Sequence, residues 1–141
     1  MPKMADTVKP TSQATVMVVN PDPVRREYLT QRLTASGHEV ESFDSARAAI
    51  ERLAPPRYTV VLVVHHELDN MTALEFIDEI RARGVFLPTI VTVPPHAVDA
   101  AVEAIRRGAT DVLEEPLDDR DLEESIAVAL AQAGKPVTAA G

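Results

Sequence analysis

Short β-rich runs alternate with helical apolar patterns five times along this chain, and that alternation narrows the fold more than any other feature. The runs are Thr15 to Val19, Glu39 to Phe43, Thr59 to Val64, Thr89 to Val93 and a weaker Asp111 to Leu113. Between them, Ala46, Ala49, Ile50 and Leu53 fall at i, i+3, i+4 and i+7. The same spacing recurs in Ala73, Phe76, Ile77 and Ile80, and in Val98, Ala101, Val102 and Ile105. Each set reads as one apolar helix face. Leu29 with Leu33, and Leu122 with Ile126 and Leu130, mark a first and a last helix. Gly37, Gly84, Gly108 and Gly134 stand where helices should stop, and Asp22 before Pro23, like Asp118, suits a helix N-terminus.

Such alternation predicts parallel strands joined by right-handed crossovers, with helices on both faces of the sheet. "VMVV" and "VVLVV" are apolar at every position, as strands buried on both faces should be. Chemistry in such a sheet collects beyond the carboxyl ends of the strands, at the switch point in strand order. The residues to interrogate are therefore Asn20 to Asp22, His65 to Asp69, Val93 to His96 and Glu114 to Pro116.

A chain of 141 residues suits one domain burying roughly 68 to 70% of its unfolded surface. Residues 14–133 are expected to form it, with residues 1–13 and 134–141 as disordered tails lacking periodicity. The absence of cysteine excludes disulfides, thiolate metal sites and cysteine nucleophiles. No apolar run approaches the ~20 residues of a membrane helix, and no signal-peptide pattern is present, so a soluble cytoplasmic protein without a membrane partner is expected. A formal charge of -8 repels phosphate backbones, so nucleic acid is not an expected direct partner.

The segments "VMVVNPDPVRREYLTQRLTASGHEV", "VLVVHHELDNMTALEFI", "LPTIVTV" and "AVEAIRRGATDVLEEPLDD" together resemble the receiver domain of bacterial two-component response regulators, from about Ala14 to Ala131. "GATDVLEEP" is similar to that family's Gly-Ala-x-Asp-aromatic-Leu-x-Lys-Pro, and "MTALEF" to its Met-Asp-Gly-x-Glu-aromatic. The resemblance implies a doubly wound, five-stranded (βα)5 flavodoxin-like sheet in the order 2-1-3-4-5. It also implies phosphoryl transfer from a histidine kinase to an aspartate, assisted by a divalent cation, a lysine and a hydroxyl donor.

Each position that the family uses has departed. The acid pair after the first strand falls on Asn20 and Pro21, and the hydroxyl residue after the fourth on Val93. The phosphoacceptor falls on His65 counting back from "LEF", or on Val64 counting forward from Tyr58. The lysine falls on Glu115, and Val112 replaces the aromatic switch residue. Pro116 keeps the family's usual cis bond within reach, and cis is favoured. The resemblance thus implies a pseudo-receiver with no catalytic residue, no cofactor and no resident metal.

His65 and Glu115 occupy the places where the family pairs a carboxylate with an ammonium, which leaves two readings of His65, a satisfied, silent histidine and a partly protonated one that contacts Glu115. A rival arrangement is a metal site drawn from His65, His66, Glu67 and His96. Successive strand residues point to opposite faces, so His65 and His66 should diverge, which weighs against it.

The leading expectation is a stand-alone module, with no output domain after Ala131, signalling by phosphorylation-independent binding to a protein partner such as a kinase, regulator or localisation factor. The alternatives are a phosphoaccepting regulator using displaced acids such as Glu67 or Asp69, and a metal- or small-ligand-binding module at the same pocket. An enzyme or cofactor carrier is disfavoured, because "NPDPVRRE" lacks the glycine and hydroxyl residues of an FMN loop and the histidine of a cobalamin loop. The last two helices are the surface many receivers use for association, and a homodimer there would set Arg106 and Arg107 against Asp118, Asp119 or Glu123 of a neighbour.

Overall fold

The computed structural model describes residues 15–53 and 60–133. The expected tails and Thr59 lie outside the described residues. Strands β1 (Thr15–Val19), β2 (Glu39–Phe43), β3 (Val60–His65), β4 (Thr89–Val93) and β5 (Asp111–Glu114) form one sheet in the order β2-β1-β3-β4-β5. Every pairing is parallel, as crossover connections through helices require. The interleaved helices are α1 (Pro23–Ala35), α2 (Ala46–Leu53), α3 (Ala73–Ala82), α4 (Val98–Arg106) and α5 (Asp119–Ala133).

The strands sort by burial as their composition demands. Val16 to Val19, Val60 to Val64 and Thr89 to Val93 are buried throughout, because β1, β3 and β4 are covered on both faces. The mixed run "EVESF" of β2 and the short β5 sit at the two edges and stay partly exposed. Side-chain alternation divides the core in two. Met17, Val19, Leu62 and Val64 pack with Ile50, Phe76 and Ile77 of α2 and α3, whereas Val16, Val18, Val61 and Val63 pack with Leu29, Leu33, Leu122 and Ile126 of α1 and α5. Each such fully buried aliphatic or aromatic side chain contributes about 1.5 to 3 kcal/mol relative to exposure.

Helix entry is set by local chemistry. The Asp22 side chain accepts a hydrogen bond from Val24 N at 3.0 Å, and Pro23 follows at the first helical position, where its missing N–H costs nothing. Thr72 and Glu75 form a reciprocal capping box at α3, with Glu75 N donating to Thr72 Oγ1 at 3.2 Å and Thr72 N to Glu75 Oε1 at 2.9 Å. The turn from α4 into β5 depends on Gly108. Its φ is +101°, and an added Cβ would come within 2.5 Å of the Arg81 guanidinium, which donates to the carbonyls of Arg107 and Gly108.

Two readings need correction. Strand β3 runs one residue further than its apolar run, through His65, which pairs in register with Thr92, and β5 likewise extends to Glu114. The larger difference is in α4. Val98, Val102 and Ile105, read with Ala101 as one apolar face, are 66%, 46% and 52% exposed. Ala104 is fully buried, and Ala97 and Ala100 pack against the core with it. The two stripes are adjacent on the helix, and the alanine stripe lets α4 settle close to the sheet while the branched side chains face outward.

Candidate functional site

The carboxyl ends of β1, β3, β4 and β5 converge on one small region. After β1, Asn20 is 1% exposed and its polar atoms are largely committed. Its N–H donates to Phe43 O at 3.0 Å, its Oδ1 accepts from Asp22 N at 2.9 Å, and its carbonyl accepts from Arg26 Nη1 at 2.8 Å. Asn20 Nδ2 is buried with no partner among the described residues. Pro21 supplies no side-chain polar atom. The Asp22 carboxylate serves the cap through one oxygen and accepts from Arg25 Nη1 through the other, at 3.1 Å.

β3 delivers His65 to this edge, whereas Val64 is fully buried in the core. His65 Nδ1 lies 3.0 Å from the Glu67 carbonyl and 3.4 Å from the Glu67 N–H. His65 Nε2 lies 3.6 Å from Glu115 Oε1, and both side chains are nearly buried. That distance is too long for a hydrogen bond and is an ion pair when the ring is protonated.

His66 does not diverge from His65: the ring centroids are 4.6 Å apart, tilted at 55°. The strand ends at His65, so the two-residue alternation stops there. Burial, followed by the charge of His65, holds the His66 pKa below the usual histidine value. His66 Nδ1 is buried without a partner among the described residues, and its Nε2 lies 3.9 Å from Glu67 Oε1.

After β5, Glu115 N donates to Val93 O at 2.7 Å, the Glu115–Pro116 peptide is cis, and the Glu115 side chain turns toward two basic side chains. One is His65. The other is Arg25, whose Nε lies 3.5 Å from Glu115 Oε2. Arg25 was not singled out in the sequence; the available signal was an arginine in the first turn of a helix that starts at this end of the sheet. Val93 is 2% exposed and donates nothing, and Val112 packs partly buried against the core. His96 is exposed with a φ of 66°, and its N–H donates to Glu114 Oε2 at 2.7 Å.

The magnesium ion implied by the resemblance does not fit these donors. A hard cation needs several oxygen ligands, carboxylates foremost. Asn20 Oδ1 is already accepting from Asp22 N, Pro21 offers nothing, and both Asp22 oxygens are engaged. Among the described residues, no three His, Asp or Glu side chains gather in a metal-holding group, so His65, His66, Glu67 and His96 are not brought together as ligands.

Several charged residues at the last two helices find partners within the chain. Arg107 pairs with Asp78 and with Glu103, Asp119 with Arg32 at 2.7 Å and Glu123 with His38 at 3.1 Å. The Asp119 carboxylate also accepts from the Tyr28 hydroxyl at 2.9 Å, a bond that raises the Tyr28 pKa. Among the described residues, no helix is long and apolar enough to cross a membrane.

Comparison with known proteins agrees with this architecture. The chain is 36% identical over 114 residues to the response regulator protein FleR of Pseudomonas aeruginosa, covering 81% of this chain and 24% of that protein. It is 32% identical over 121 residues to the transcriptional regulatory protein FixJ of Azorhizobium caulinodans, covering 85% of this chain and 56% of that one. The chain thus spans between about a quarter and just over half of these relatives. The crystal structure of FixJ-N superimposes with a TM-score of 0.80 at 29% identity, covering 89% of this chain and 98% of that one. A receiver domain protein from Clostridium thermocellum, at 18% identity and a TM-score of 0.78 over 84% of this chain and 95% of that one, shares the fold. The sequence profile of the response regulator receiver domain matches residues 16–127, and the chain belongs to that family of two-component signalling modules.

Proposed function

We propose that this receiver domain signals by binding a protein partner without accepting a phosphoryl group. The observation that carries the reading is the position of Glu115, whose carboxylate takes the cation's place beside the phosphoryl site and is held between His65 and Arg25. A phosphoryl group entering there would meet a negative charge at the point where its oxygens need a positive one. His65 takes the acceptor's place, and no magnesium cradle supports it. Displaced acids do not restore the chemistry. The Glu67 side chain is 76% exposed, and Asp69 Oδ1 faces Ala46 N at the start of α2, 3.4 Å away.

Acetyl phosphate or beryllofluoride with Mg²⁺, followed by NMR and intact-mass measurement, tests this. Unchanged spectra and mass are expected; a stable acyl phosphate on any carboxylate, or saturable Mg²⁺ binding at the strand ends, overturns it. The partner we have in mind is a kinase, a regulator or a localisation factor. Homodimerisation through α4 and α5 is part of the same proposal, supported by the exposed Val98, Val102 and Ile105 stripe. Light scattering at high protein concentration is expected to give a dimer mass, and a monomer mass removes this part.

A further inference from the structure

We propose that the cavity between α1 and the loops following β4 and β5 binds a small organic amine, an ammonium group carried on an apolar body. The cavity measures about 630 Å³, inside the ~300 to 1,000 Å³ range of small-molecule sites. Its walls are mostly apolar: Val24 and Tyr28 from α1, Pro94 and Pro95 after β4, and Pro116 and Leu117 after β5. Val24 is 76% and Tyr28 44% exposed, so the first turns of α1 leave uncovered a surface that an apolar body would bury.

Two charged side chains line the cavity, Arg25 and Glu115, and their states differ. The Arg25 guanidinium already donates to Asp22 Oδ2 at 3.1 Å. Glu115 is the opposite case. Its carboxylate, with the side chain 13% exposed, has only the long contacts of 3.5 Å to Arg25 and 3.6 Å to His65, and no hydrogen-bond donor among the described residues reaches it. A largely buried carboxylate with no close donor from the described residues favours a ligand that donates, and a charged donor above a neutral one.

Tyr28 adds to the same preference. Its hydroxyl is committed to Asp119 at 2.9 Å, so its contribution to the cavity wall is the ring, and an aromatic ring attracts an ammonium group. An acidic chain of net charge -8 also favours the approach of a cation. A carboxylate ligand would meet the like charge of Glu115, and an uncharged one would leave Glu115 as it is. The site goes beyond the proposed function, since the cavity and its lining do not depend on whether phosphate is accepted.

The test is an amide-resolved NMR titration of the full chain with three probes of one shape: 2-phenylethylamine, 2-phenylethanol and 3-phenylpropionate. Saturable shifts for the amine are expected at Val24, Arg25, Tyr28, Glu115 and Leu117, with an affinity at least about tenfold above that of the alcohol. Glu115→Gln keeps the side-chain volume and is expected to bring the amine down to the level of the alcohol. Val24→Trp, at an exposed position that tolerates size, is expected to fill the cavity and weaken both. No saturable binding, equal affinity for amine and alcohol, preference for the acid, shifts centred elsewhere, or an amine affinity unchanged in Glu115→Gln would each overturn the site. Acyl-phosphate formation would overturn the function proposed above and leave this site standing.

Discussion

The Glu115 carboxylate stands 3.6 Å from the His65 imidazole, joining the end of β5 to the end of β3, with the Arg25 guanidinium 3.5 Å from its other oxygen. Replacing His65 alone by Asp sets two carboxylates against each other and leaves the magnesium cradle unbuilt. H65D is expected to lose about 1 kcal/mol of stability by urea denaturation and to take no label from acetyl phosphate. The fourfold variant N20D/P21D/H65D/E115K, which rebuilds both the cradle and the cation, is expected to become labelled by intact mass. Labelling of H65D alone would show that the missing carboxylates are not the obstacle.

His66 predicts a pH dependence with a definite sign. Burial and the charge of His65 lower its pKa in the folded chain, below the ~6.5 of an unfolded one. As pH falls through that unfolded value, the unfolded chain takes up a proton that the folded chain refuses, so acidification costs stability in that window. H66Q is expected to show a shallower loss of stability between about pH 7 and 5, measured by urea midpoints across that range. An identical slope would assign the acid sensitivity elsewhere.

The core of the α2 and α3 side rests on Phe76, which is fully buried and packs among residues from β1, β3 and β4. Phe76→Ala is expected to cost about 3 to 5 kcal/mol, read as a lowered denaturation midpoint. A cost below ~1 kcal/mol would mean that the cavity collapses or that the site is not tightly packed.

The orientation of α4 separates two substitutions on one helix. Val102→Arg, on the exposed stripe, is expected to change stability by no more than ~0.5 kcal/mol while converting any dimer to monomer in light scattering. Ala104→Leu, at a fully buried position, is expected to cost about 1 to 3 kcal/mol by overpacking. The reverse order would put the valines back against the sheet.

At the start of α3, Thr72→Ala removes one half of a capping box and strands the Glu75 N–H. A loss of about 1 kcal/mol is expected in thermal or urea unfolding. The Thr-x-x-Glu spacing that announces this box was present in "TALE".

The two-sided cover of β1 and β3 was legible because "VMVV" and "VVLVV" admit little else, whereas the strand order was implied by the resemblance to the receiver family. Periodicity was less decisive in "VDAAVEAI", where two neighbouring stripes are both apolar and only the fit against the sheet selects the alanines. His65 and Glu115, at the end of β3 and just past β5, were legible as a juxtaposition because the family pairs these two places. Arg25 was not, because its role depends on the reach of a long side chain from α1 to a different loop. The closeness of His65 and His66 escaped for a related reason: alternation holds only while the strand lasts, and β3 ends between them.

The bracketed Glu115 has a temporal consequence. A receiver that carries a phosphoryl group keeps time by how long that bond survives hydrolysis. Under the binding function proposed above, an event would last as long as the bound molecule stays, so memory would become a dissociation rate.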